Sequence, residues 1–177
     1  MRQIDLKKLD KLESEKKQSS FEEVASSKGY SPRKSNTSDL PSINVSHILT
    51  GKSKSGSPIS IKVDLKKNKN KKKYEDWFWI EFRNSRGKPG WLHGDADFVI
   101  FDRSEDFIVA NRKELLQWLN GSKKIRYDLP FVNLAKRAKY RIYKREDKLE
   151  EITQISIKDL KCLKSFQLWK KPNAAAN

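Results

Sequence analysis

The sequence predicts a mixed α/β domain: a central mixed β-sheet flanked by helices. Three observations predict it. Short apolar runs with strand character, "ISIKVDL", "WFWIEF" and "ADFVIF", are spread through the chain. Helical patterns alternate with them, the clearest being "RKELLQWLN", closed by Gly121. The 177 residues are 36% apolar and 35% charged, with five Trp and eight Phe, so the core is modest in count but large in aromatic area.

In chain order, residues 2–17 form a charged helix with a thin apolar stripe of Ile4, Leu6, Leu9 and Leu12. Ser19 and Ser20 precede Glu22 and Glu23 in a capping-box pattern, opening a helix over 20–28 that stops at Gly29. Residues 31–42 read as a loop by composition. A hairpin follows, with strands at 43–49 and 59–65 around a turn at 50–58 that holds Gly51, Gly56 and Pro58. Residues 66–73 are a lysine-rich loop, 77–82 a buried strand, 84–94 a Gly- and Pro-rich connection, and 96–101 and 107–110 further strands. After the helix at 112–120, Pro130 breaks the chain before a short helix in "FVNLAKRA". The alternation of 139–145 predicts an edge strand, with 149–156 pairing back onto it and a short helix at 157–163. Three parts result: an arm at 1–19, a domain at 20–165 and a flexible tail at 166–177.

Charge is the dominant global property. There are 39 Lys and Arg against 23 Asp and Glu, a formal charge of +16. A field of that sign attracts polyanions, nucleic acid first among them. No apolar run approaches 18 residues, so no spanning helix and no membrane partner are expected, and no signal-peptide core stands at the N-terminus. The single Cys162 rules out an internal disulfide and suits a reducing, cytoplasmic setting. One Cys and two His argue against a zinc cluster.

The hairpin carries the chemistry. Residues i and i+2 of a strand share a face, so Asp64 and Lys66 project together while Ile61, Val63 and Leu65 take the opposite face. An acid beside a lysine on a core strand costs solvation and calls for a partner. Metal-dependent phosphodiester hydrolysis would use both: carboxylates hold a divalent ion, and a lysine orients water or neutralises charge on the phosphate.

At this point the sequence resembles the PD-(D/E)XK nuclease superfamily. "VDLK" at 63–66 is similar to its acid-x-Lys triplet. "WIEF" followed by "GKPGWLHGDADFVIF" resembles a block in small phage and bacterial nuclease-like proteins, and "FEEVASSKGY" resembles the helix that opens their domain. The likeness covers roughly residues 20–160. It implies a restriction-endonuclease-like core and a Mg²⁺- or Mn²⁺-dependent DNA endonuclease. It implies Asp64 and Lys66 as the acid and the lysine, Glu22 as an extra carboxylate, and a residue across the hairpin as the other metal ligand. Symmetric junction cutters of this kind work as homodimers, for which the N-terminal stripe offers a contact.

One position departs from the pattern. Where the family has aspartate the chain reads "SINVSHIL", with Asn44. An amide oxygen can touch a metal but brings no charge. Three explanations stand: Asn44 is an inactivating substitution, the protein is a natural non-cleaving descendant, or the register differs and Asp39 or Glu81 is the other acid. In the last case Asp64 is the first acid and Glu81-x-Arg83 the triplet. Asp64 is common to both registers. The alternative function is a non-catalytic nucleic-acid-binding protein on the same scaffold.

Basic residues would hold the nucleic-acid backbone. Six lysines lie between 66 and 73, among them Lys67, Lys69, Lys71, Lys72 and Lys73. Arg83 precedes the Gly-rich connection and Lys88 lies within it. Lys139 and Arg141 share a face with Tyr143, which could stack a base. Trp77, Trp79 and Trp91 read as core, as does Cys162; His93 reads as an idle loop residue and His47 as a partly buried strand residue.

Overall fold

The computed structural model describes residues 21–36, 44–67 and 76–172. The predicted arm, Asp39, and Lys69, Lys71, Lys72 and Lys73 of the lysine run lie outside those residues. The described residues begin with helix α1 (21–27) and strands β1 (Ser31–Lys34), β2 (His47–Lys52) and β3 (Pro58–Lys67). Next come β4 (Trp77–Arg83), a 3₁₀ turn at Trp91–His93, β5 (Phe98–Asp102), β6 (Asp106–Asn111) and helix α2 (Arg112–Gly121). A 3₁₀ turn at Ala135–Arg137, β7 (Glu151–Ser156), the single-turn α3 (Ile157–Leu160) and β8 (Gln167–Lys170) complete it.

Six strands form one mixed sheet in the order β1-β2-β3-β5-β6-β8, in which only β3 and β5 run parallel. β4 and β7 form a separate antiparallel pair. The α/β class predicted from sequence therefore holds. The strand alternation divides the core into two layers. Leu49, Val63, Leu65, Ile100, Phe107, Val109 and Trp169 pack with Phe21, Val24 and Ala25 of α1 on one face. Val99, Phe101, Ile108 and Ala110 pack with α2, Trp91 and the β4–β7 ribbon on the other. Among the described residues no helix is long and apolar enough to cross a membrane.

Several elements differ from the sequence reading. "SPRK", expected in a loop, is β1; it pairs with the regular β2, and the edge position tolerates Pro32. β2 starts at His47, four residues later than expected, and extends to Lys52. The 139–145 segment is not an edge strand. Tyr140 has φ 54°, which breaks the extended run, and single bridges such as Lys139 to Gln154 and Tyr143 to Ile152 replace the hairpin. The expected helix in "FVNLAKRA" shrinks to the 3₁₀ turn. The expected flexible tail instead begins with β8, which pairs with β6 and buries Trp169. Cys162, read as core, is exposed.

Candidate phosphodiester site at the end of the central hairpin

β3 is an interior strand between β2 and β5, so its alternating faces are both covered. Val63 and Leu65 enter the α1 layer, and Asp64 and Lys66 face the opposite layer, as their spacing requires. Asp64 is 7% exposed. Lys66 Nζ stands 2.6 Å from Asp64 Oδ2 and 5.0 Å from the centre of the Trp91 ring. Burial pushes the Asp64 carboxyl above its ordinary range, and the Lys66 ammonium opposes that shift without cancelling it. The pair is thus an interior acid–lysine couple, not an edge-strand ion pair.

Trp91 is placed by close backbone packing. A Cβ on Gly90 would lie 2.3 Å from Glu81 O, so only glycine permits this approach. Trp91 N–H donates to Glu81 Oε1 at 3.3 Å. Behind the turn, the buried Arg112 donates from Nε to Ala96 O at 2.6 Å and from Nη1 to Leu92 O at 2.7 Å. Asp97 Oδ2 accepts from Lys62 N–H at 2.8 Å, stitching β5 to β3. The "GWLHGDADF" block therefore braces the tryptophan that carries Lys66.

The remaining candidate residues do not gather on Asp64. Asn44 sits in an exposed turn before β2 with φ 57°, at the same end of the hairpin as residues 64–66 but outside the strand. Ser46 takes the inner position: its Oγ accepts from Leu65 N–H at 2.9 Å and lies 2.9 Å from His47 Nδ1. Glu22 approaches the α1-side layer, its Oε1 3.5 Å from Nε2 of the buried His47. Burial holds the His47 pKa below its ordinary value despite Glu22. Glu81 belongs to the β4–β7 ribbon, and Arg83 points to Glu151 at 3.5 Å and to Gly87 O at 3.3 Å. The Glu81-x-Arg83 register thus places its triplet in a different sheet from Asp64.

Lys67 ends β3, half-buried; Lys88 is exposed in the connection. Lys139 Nζ lies 4.4 Å over the Trp77 ring, Arg141 Nη2 donates to Pro130 O at 2.8 Å, and the Tyr143 ring is 5.8 Å from Trp79. His93 is exposed. Sequence reasoning missed Ser46, which carries no signal in a serine-rich stretch. It also missed the exposure of Trp79, which is 38% accessible because β4 lies in the two-stranded ribbon and not in the central sheet.

Comparison with family models, curated proteins and solved structures gave no match.

Proposed function

We propose that this chain is a DNA endonuclease of the PD-(D/E)XK pattern, with Asp64 and Lys66 as its acid and lysine. The observation that carries the reading is the buried Asp64 paired with the half-buried Lys66 at the C-terminal end of β3. The element order supports it too. Helix α1 packs on the antiparallel β1-β2-β3 meander, and β5 runs parallel to β3 beside the acid-x-Lys triplet. The formal +16 charge supplies attraction for the phosphate backbone.

Among the described residues the donor set falls short of what a Mg²⁺ or Mn²⁺ ion needs, Asp39 lying outside them. Oxygen ligands are the right type. Among the described residues, however, no three His, Cys, Asp or Glu side chains stand together, and Lys66 occupies Asp64 Oδ2. The chain's own groups act on a bound phosphodiester as follows. The Lys66 ammonium, steadied by Trp91, neutralises charge on a non-bridging phosphate oxygen, and Asp64 fixes the position of that ammonium.

The second reading is a non-cleaving nucleic-acid-binding protein on this scaffold, which the formal +16 charge supports equally. One experiment separates them. Plasmid and branched DNA are incubated with Mg²⁺ or Mn²⁺ and the wild type, Asp64→Ala, Lys66→Ala or Asn44→Asp. Cleavage that disappears in Asp64→Ala supports the endonuclease. No cleavage by any form, Asn44→Asp included, sinks it. The binding reading then stands only if log K falls steeply with log salt concentration.

A further inference from the structure

The exposed large apolar side chains of the described residues are unevenly placed. Of the six, Trp79, Tyr127, Phe131, Leu134 and Leu149 come from β4 or from the segment between α2 and β7. That segment, 122–150, also holds ten Lys and Arg against four Asp and Glu. A purely apolar patch would suit a protein partner, and a purely basic one any polyanion. Here rings and cations alternate in contact. Lys139 Nζ is 4.4 Å over Trp77, Trp79 meets Tyr143 at 5.8 Å, and Lys144 Nζ is 5.1 Å over Phe131, which is 55% exposed. The bridges from Lys139 to Gln154 and from Tyr143 to Ile152 hold this segment against β7, and the bridge from Val132 to Tyr143 ties the stretch carrying Phe131 to it.

We infer that this side binds single-stranded nucleic acid. Trp79 and Phe131 offer faces to unpaired bases, and Lys139 and Lys144 meet the phosphates between them. A duplex keeps its bases stacked inside and cannot use the rings. The inference takes its choice of polyanion from the proposed function but uses none of the groups at Asp64.

The test is fluorescence anisotropy of labelled oligothymidylate and of a duplex of equal length. Trp79→Ala and Phe131→Ala should each weaken single-strand binding by about tenfold. Trp79→Phe should restore most of it, and Leu168→Ala, an exposed apolar residue outside this side, should change nothing. Replacing Lys139 and Lys144 together by Gln should lower the slope of log K against log salt by about 1.4. Circular dichroism confirms that each variant is folded. Folded Trp79→Ala and Phe131→Ala proteins that bind oligothymidylate like the wild type overturn the inference. So does a wild type that binds duplex alone, which leaves the Asp64 reading intact. Absence of any nucleic-acid binding overturns both.

Discussion

Trp169→Ala tests whether the C-terminal strand belongs to the domain. Trp169 is 6% exposed, and its ring stacks at 6.4 Å from Phe21 and 5.9 Å from Tyr30. An indole buries roughly 150–250 Å². At about 25 cal/mol per Å² that is about 4–6 kcal/mol, an upper bound because the unfolded chain already shields part of it. Measured losses for large aromatics cut to alanine run about 3–5 kcal/mol. The ring also borders a half-open apolar groove with Leu49, Ile61, Phe98 and Gln167, so water can enter the space it leaves. That places the loss near the lower end, about 3 kcal/mol. For a chain of this size the midpoint of thermal unfolding should fall by about 6–12 °C. Urea denaturation followed by far-ultraviolet circular dichroism measures it, and an unchanged m value shows that the denatured state is the same. A loss under about 1 kcal/mol would refute the docking of β8 and restore the reading of 166 onward as a flexible tail.

On the proposed endonuclease reading Asp64→Asn should abolish cleavage. It should also raise stability at neutral pH, because the buried carboxylate is held against its own desolvation. Its folded pKa lies above the ordinary 3.8, so the penalty sets in as pH rises past that value and is complete above the folded pKa. The stability gap between variant and wild type, read by denaturant titration at several pH values, should therefore widen from acid to neutral. His47 has its folded pKa below the ordinary 6.5, so its contribution is intact above that value and is lost as pH falls through the folded pKa. A His47→Gln variant should show a flatter stability profile across that window. Arg112→Met removes the donors to Ala96 O and Leu92 O. It should cost about 2–4 kcal/mol and weaken nucleic-acid binding, since it loosens the turn that sets Trp91 against Lys66; anisotropy and thermal melts read both effects.

The sequence by itself determined the features that are local and periodic. A two-residue period put Asp64 and Lys66 on one face and Val63 and Leu65 on the other, whatever the partners of β3. The Asn111 cap, which accepts from Glu114 N–H, and the apolar spacing of Leu115 and Leu119 set α2. The formal +16 is likewise legible at once, and with it the expectation of a polyanion.

Only the tertiary structure decided what depends on neighbours. "SPRK" and "QLWK" carry almost no intrinsic strand signal; each is extended because a regular strand offers it an edge to pair with. The alternation in 139–145 promised a strand that the left-handed Tyr140 interrupts. β4 is aromatic enough for a central strand, yet it pairs with β7 and leaves Trp79 in solvent. Distances between carboxylates on different strands follow from register and sheet membership, which no single segment encodes. Hence the sequence could name Asp64, Asn44, Glu22 and Glu81 together, while among the described residues the fold joins Lys66 to Asp64 and sends Glu22 to His47 and Glu81 to Trp91.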